Sequence, residues 1–131
     1  MSVDKRIAAF MTIAAEEIRA AKMLADGAPR QAAYDVQQAA EKATRAVPAK
    51  AGVSFGISHN LSQMADALPA GHPLHASIAA LNKHSSAATR FRYPSPTGHL
   101  APAPISNAIN ADIVEVERFI EAVRQHLVST L

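Results

Sequence analysis

The chain has 131 residues, of which 49% are hydrophobic and 18% are charged, and its formal net charge is +2. This length suits one compact domain, so we expect a single domain over residues 1–131. Cysteine is absent, which excludes disulfide scaffolds, thiol catalysis and cysteine-ligated zinc. The slight basic excess permits contact with a polyanion without predicting one. No apolar run reaches the roughly 18 to 20 residues of a membrane helix, so we expect a cytoplasmic protein with no membrane contact.

Apolar residues recur every three or four positions through the first 50 residues, which predicts two amphipathic helices. Gly27 and Pro29 end the first helix, whose inward stripe is Ile7, Phe10, Ala14, Ile18, Ala21 and Ala25. The second helix runs from about Arg30 to Ala51 and ends at Gly52; its inward residues are Ala33, Val36, Ala40, Ala43 and Val47. Pro48 lacks an N–H and crowds the preceding turn, so the helix should kink or end there.

The rest of the chain predicts one short helix and two long ones, separated by proline-containing breaks. Asn60 is a natural N-cap for a helix over about Leu61 to Leu68, and Gln63 completes a capping-box pattern. Pro94 stops the fourth helix, whose inward positions are Leu74, Ile78, Leu81, Ser85, Ala88 and Phe91. Ser106 should cap the last helix, whose stripe is Ile109, Ile113, Val116, Ile120, Val123 and Leu127. We therefore predict an all-α antiparallel bundle of four long helices and one short helix.

The carboxylates and histidines form no recognised catalytic or metal-binding pattern. Glu41 and Arg45, four residues apart on a helix, are typical of a solvated surface ion pair. The same interpretation covers the charged residues of the last helix, which are Asp112, Glu115, Glu117, Arg118 and Arg124. The six histidines lack an H-E-x-x-H spacing, so we predict no metal site and no cofactor. We expect His59 to belong to the start of the third helix, and His84 and His126 to lie on the surface.

One constellation could carry chemistry, and it lies at the end of the fourth helix. Arg90 and Arg92 fall in its last turn, and Tyr93 leads into a proline-rich loop that carries His99. Arginine is favourable at a helix C-terminus, which by itself could explain both arginines. Arginine also binds phosphate at two points, and histidine can move a proton, so the group could act on a phosphodiester. A spacing of this kind is expected about once by chance in such a chain, so it carries no weight alone.

A resemblance to a known family gives the spacing more weight. The segment AYDVQQAAEKA, residues 33–43, resembles the second-helix signature of HEPN domains. Gly52, then His59-Asn60-Leu61 and then Arg92-Tyr93-Pro94 follow in the expected order, so the resemblance spans essentially the whole chain. It implies a four- or five-helix bundle that usually dimerises. It also implies an R-x6-H motif for metal-independent RNA cleavage, with Arg92 and His99 as the catalytic residues.

Two functions remain open from the residues and the resemblance. The first is a homodimeric endoribonuclease of toxin–antitoxin type, in which Arg92 and His99 from each subunit meet in a shared cleft. The second is a non-catalytic module that binds a nucleotide or a minimal nucleotidyltransferase, with Arg90, Arg92 and Tyr93 binding phosphate. Tyr93 stands where many family members have a polar residue, and Pro48 stands where a leucine-like residue is expected.

Overall fold

The computed structural model describes residues 3–53 and 60–129, and within these ranges it contains helices and turns but no strand. The long helices are α1 (Val3–Leu24), α2 (Pro29–Lys50) and α6 (Ser106–Ser129), and the short ones are α3 (Leu61–Asp66), α4 (His75–Ala80), a 3₁₀ helix (Leu81–His84) and α5 (Ala87–Arg90). The prediction of an all-α bundle is confirmed. His59 and the glycine-containing segment before it lie outside the described residues. No helix in the described ranges is long and apolar enough to span a membrane.

Helix α2 lies at the centre of the bundle. It packs against α1, α3, the 3₁₀ helix, α5 and α6, and 13 of its residues are buried. A short turn joins α1 to α2, so the two run antiparallel. The hydroxyl of Ser106 donates to the carbonyl oxygen of Ala25 (3.4 Å), which places the start of α6 beside the end of α1. As a result α2 and α6 begin at the same end of the bundle.

The predicted apolar stripes of the three long helices form the core. Every stripe residue of α1, α2 and α6 is buried except Phe10 and Leu127, which pack against the core while partly exposed. Many of these residues are alanines, so the helix axes can approach closely. Periodicity alone was therefore enough to identify the inward faces of these helices.

The end of α2 differs from the sequence prediction. The helix continues through Pro48 to Lys50, and the Pro48 ring is buried in the core. Its carbonyl oxygen accepts a hydrogen bond from the backbone N–H of Val53 (2.8 Å). The helix ends at Gly52 as predicted, because Gly52 adopts a positive φ of 78°, a conformation that glycine reaches without steric cost. Pro48 therefore lies before the end of the helix but does not determine where the helix ends.

The two predicted N-caps have different outcomes. The Asn60 side chain accepts a hydrogen bond from the backbone N–H of Gln63 (3.1 Å), so the cap of α3 is confirmed. The prediction for Ser106 is wrong, because its hydroxyl donates to Ala25 across the bundle instead of capping α6. The cap of α3 joins Asn60 to Gln63, which is close to it in sequence. Ser106 and Ala25 are far apart in sequence, and they meet only because α1 and α6 pack together.

The predicted fourth helix is broken into α4, the 3₁₀ helix and α5, and its buried face changes as a result. The buried positions of this segment are Ile78, Leu81, His84 and Ala87, each three residues after the last. A 3₁₀ helix has three residues per turn, so it turns His84 inward where an α-helix would bury Ser85. The prediction of a surface position for His84 is therefore wrong, since only 9% of the residue is exposed. His126 lies on α6 and is partly buried.

The predicted surface ion pair of α2 is buried. Glu41 is 4% exposed, and its carboxylate lies 3.3 Å from Nε of Arg45, whose side chain is 13% exposed. The amide of Gln37 donates to Glu41 (3.4 Å), and the amide of Gln38 donates to Gln37 (2.6 Å). A buried charge is tolerated when it is paired and hydrogen-bonded, which is the case here. The polar part of the QQAAEK segment therefore forms a connected network inside the bundle.

The carboxylates of α6 also have partners other than those predicted. We predicted pairing with Arg118 and Arg124 on the same helix. The observed pairs are Glu115 with Lys83, Glu117 with Lys22, and Arg124 with Glu121. Two of these three pairs join α6 to another segment, so the interpretation of a solvated single-helix ladder is wrong.

Candidate functional site

Helix α5 ends before the second arginine of the predicted site. Arg90 is its last residue, and the backbone N–H groups of Arg92 and Tyr93 both donate to the carbonyl oxygen of Thr89 (3.1 and 3.0 Å). These two bonds turn the chain directly after the helix. Arg92 therefore lies in this turn, and its predicted position in the last helical turn is wrong.

The loop that follows contains a tight hydrogen-bonded turn at residues 95–99. The N–H of Ser95 donates to the carbonyl oxygen of His99 (2.8 Å), and the N–H of Gly98 donates to that of Ser95 (2.8 Å). The N–H of His99 donates in turn to Oγ of Ser95 (3.0 Å). Gly98 has a φ of 82°, which a side chain would strain. The backbone of His99 is thus held in place on an otherwise exposed loop.

The imidazole of His99 is oriented by a second contact. Its Nδ1 lies 2.8 Å from Oγ1 of Thr97, and that hydroxyl lies 3.1 Å from Oγ of Ser95. A hydroxyl can donate or accept, so Thr97 can support either neutral tautomer of the ring and also its protonated form. Nε2 has no hydrogen-bond partner within the described residues. The ring therefore presents one free nitrogen that can take up or release a proton.

A groove of about 470 Å³ separates α5 and the loop. Its walls bring together Arg90, Tyr93 and His99, and the other lining residues are Thr89, Pro94, Ser95, Leu100 and Ala101. Arg90 and His99 supply positive charge and a titratable nitrogen, and this lining includes no carboxylate. Such a groove suits an anionic ligand better than a cation.

Arg92 lies against α2 and does not line the groove. Its guanidinium carbon is 4.7 Å from the centroid of the Tyr34 ring, a cation–π contact. Burial raises the pKa of Asp35, the next residue on α2, and a hydrogen bond from Gln31 and the charge of Arg92 offset only part of that rise. The structure thus brings His99 together with Arg90 and Tyr93, while Arg92 contacts the face of α2.

Arg30 ties the loop to the first turn of α2, a contact that sequence reasoning missed. Its Nε and Nη2 donate to the carbonyl oxygen of Ala101 (3.2 and 3.0 Å), two residues beyond His99. Arg30 and Tyr34 are four residues apart and share one face of the helix, so both arginine contacts occur on that face. The sequence signals for these contacts are weak. They are an arginine and a tyrosine four residues apart near a helix start, and a threonine two residues before His99.

Within the described residues, one group of side chains has the spacing of metal ligands. It consists of His84, Asp112 and Glu115, and none of the three lines the groove that contains His99. The groove itself therefore contains no candidate metal ligands beyond His99.

Comparison with known families gives a match over most of the chain. The model of the HEPN domain family matches residues 7–127, from the first turns of α1 to near the end of α6. The match includes α5, the loop and all the residues of the groove. No curated protein and no solved structure matches the chain. The chain therefore belongs to the HEPN domain family.

Proposed function

We propose that this protein binds an RNA phosphodiester in the groove between α5 and the loop, and cleaves it without a metal ion. The observation that carries this proposal is the state of His99, whose Nδ1 is held by Thr97 and whose Nε2 is unoccupied in a groove shared with Arg90. An imidazole oriented through one nitrogen is suited to general acid–base catalysis through the other. The groove lining has no carboxylate that would hold a catalytic cation.

The residues can be assigned to the steps of a transesterification. Nε2 of His99 accepts the proton of a ribose 2′-hydroxyl, and the 2′ oxygen attacks the adjacent phosphorus. The bond from phosphorus to the 5′ oxygen breaks, and that oxygen takes up a proton from solvent water, while His99 afterwards returns the proton it accepted to the solvent. Arg90 stabilises the charge that develops on the non-bridging oxygens. The products are a 2′,3′-cyclic phosphate and a 5′-hydroxyl.

Arg92 keeps a role as a second phosphate contact in this proposal. Stacking on Tyr34 uses the face of its guanidinium, and its N–H groups make no hydrogen bond within the described residues. Those N–H groups lie at the edge of the planar group and remain available to a phosphate oxygen. Arg92 would then hold the substrate beside the groove, while Arg90 and His99 act at the scissile bond.

We further propose that the active form is a two-fold homodimer whose loops border a common cleft. HEPN domains often dimerise, and the surface around the loop carries exposed apolar side chains. Tyr93, Leu100 and Ile105 are 62%, 64% and 70% exposed. Large apolar side chains exposed in this way are typical of interaction surfaces. We propose that the dimer acts on RNA in the cytoplasm, as one domain spanning residues 1–131.

A second candidate function is a non-catalytic module that binds a nucleotide or a minimal nucleotidyltransferase. The observation that favours it is the position of Arg92, which stacks on the Tyr34 ring of α2 and is absent from the groove of His99. An arginine engaged in this way can bind a phosphate without taking part in proton transfer. His99 would then be a structural member of the 95–99 turn.

RNA cleavage in the presence of EDTA tests the proposal. Wild type should release a 2′,3′-cyclic phosphate, and His99→Ala should cleave at least about 100-fold more slowly, the usual effect of losing a general acid–base group. His75→Ala is the matched control, since His75 is an exposed histidine bound to Asp66 (3.2 Å) outside the groove, and it should cleave like wild type. Cleavage by His99→Ala at the wild-type rate would overturn the proposal. RNA binding without cleavage by wild type would support the second candidate instead.

A further inference from the structure

A polar cluster lies where the 3₁₀ helix meets α6. Nε2 of His84 is 2.9 Å from Oε1 of Glu115, and Asp112 lies three residues earlier on the same face of α6. One ligand atom from each of these three side chains lies within 4.8 Å of the other two. Ligands of one metal ion at about 2.2 Å are at most about 4.4 Å apart, so small side-chain movements would bring all three into range.

The cluster carries negative charge that its neighbours do not balance. Lys83 pairs with Oε2 of Glu115 (2.9 Å) and leaves Oε1 directed at His84. Asp112 makes no hydrogen bond or ion pair within the described residues. When His84 is neutral, two carboxylates therefore face one lysine, and one negative charge remains. A bound cation would neutralise it.

Burial makes this imbalance costly. The side chain of His84 is 10% exposed and that of Glu115 is 36% exposed, so both groups are partly withdrawn from water. Asp112 is itself only partly exposed. The carboxylate of Asp112 is thus partly withdrawn from water without gaining a donor in exchange.

We propose that His84, Asp112 and Glu115 bind a divalent transition-metal ion, with Zn²⁺ the best match. One imidazole and two carboxylates form a mixed nitrogen and oxygen donor set that zinc accepts at a site with three protein ligands and one open position. Glu115 also borders a second groove, lined by Leu81, Val114 and Phe119 among others, so the open position can be filled by water from that side.

The 3₁₀ helix is what makes this site possible. Its three-residue turn directs His84 toward α6, whereas a continuous α-helix would have directed Ser85 there. A bound ion would join the interrupted segment 75–90 to α6, and α5 at the end of that segment carries Arg90. The ion would thus stabilise the part of the fold that leads into the loop. This inference does not depend on the proposed ribonuclease activity, because it concerns different residues.

Zinc binding to the chelator-treated full chain tests the site. Calorimetric titration with ZnCl₂ should give one ion per chain, and saturating zinc should raise the melting temperature by about 5 °C. Asp112→Asn and His84→Gln should each weaken binding at least about 10-fold. His75→Gln is the matched control, because His75 also contacts a carboxylate, that of Asp66, away from this cluster, and it should bind zinc like wild type.

The outcome can be decided even if one variant is unstable. Asp112 has no hydrogen-bond partner to lose among residues 3–53 and 60–129, so Asp112→Asn should fold like wild type, as far-ultraviolet circular dichroism in EDTA would verify. Absorption of Co²⁺ in the visible range provides a second readout of coordination, and Asp112→Asn should lose it. The inference is overturned if wild type binds no zinc at micromolar concentrations, or if Asp112→Asn binds it as tightly as wild type.

Discussion

The contact between Arg30 and the loop allows a quantitative prediction for the variant Arg30→Met. Nε and Nη2 of Arg30 both donate to the carbonyl oxygen of Ala101, which is 71 residues away along the chain. Methionine keeps an unbranched stem of similar length and a high helix propensity, so α2 should remain intact. The substitution therefore removes the two hydrogen bonds and the charge while leaving the packing of the stem.

The expected loss of stability follows from the geometry. A hydrogen bond from a charged donor contributes about 1.5 to 3 kcal/mol, but the two bonds here share one acceptor and are only partly buried. We therefore expect a loss of about 1.5 kcal/mol, counted as one bond at the lower end of that range. For a chain of this size the melting temperature should fall by roughly 5 °C.

Arg19→Met is the matched control for this measurement. Arg19 lies on the exposed face of α1 and has no hydrogen bond or ion pair within the described residues. Both variants lose one positive charge, so a general weakening of RNA binding is the same in each. Only Arg30→Met should lower the melting temperature, speed hydrogen exchange of the loop amides, and reduce RNA cleavage below that of the control.

Equal behaviour of the two variants would refute this reasoning. If Arg30→Met and Arg19→Met melt within about 1 °C of each other, the carbonyl of Ala101 is not an effective acceptor. If, in addition, the loop amides exchange equally fast in both, the loop is held by its own turn at 95–99 and by its prolines. Arg30 would then have no positioning role for His99.

Two further predictions concern the core and the loop. Burial raises the pKa of Glu17 despite its ion pair with Lys42 (3.2 Å), so the folded chain binds the proton of this carboxyl group more tightly than the unfolded chain does. The contribution of Glu17 to stability therefore falls as the pH rises through its folded pKa. In urea unfolding, the free energy of unfolding of wild type should therefore increase relative to that of Glu17→Gln as the pH falls from about 7 to about 4.5. The reverse trend would contradict the raised pKa. Gly98→Ala should lower RNA cleavage and cost about 1 kcal/mol of stability, because Gly98 has a φ of 82° in the turn that holds His99. Gly27→Ala, where an added Cβ meets nothing within 4 Å and φ is not positive, should retain both; equal cleavage by the two variants would show that the turn does not position His99.

Local patterns predicted the long helices correctly because each pattern needs only neighbouring residues. The stripes of α1, α2 and α6 repeat with the period of an α-helix, and they are the buried faces. The cap at Asn60 and the positive φ at Gly52 likewise depend on residues within one turn. The order of the motifs, read together with these helices, was enough to indicate the HEPN family.

Periodicity failed where the helix type or the surroundings changed. A pattern extended at 3.6 residues per turn predicts Ser85 as the inward residue, whereas the 3₁₀ helix buries His84, three residues after Leu81. Glu41 and Arg45 have the spacing of a surface ion pair, yet neighbouring helices cover them because α2 is central in the bundle. The spacing of two charges within one helix does not reveal what covers that face.

The amino-acid sequence by itself determined the three long helices, their inward faces and the family, and it singled out the loop that carries His99. Only the tertiary structure decided which arginine accompanies that histidine. Arg90 lines its groove, while Arg92 lies on Tyr34, a residue 58 positions earlier. The anchoring of the loop by Arg30 and the convergence of His84 with Asp112 are likewise contacts between distant segments. Such contacts depend on how helices pack and where a helix ends, and no pattern within a single helix contains that information.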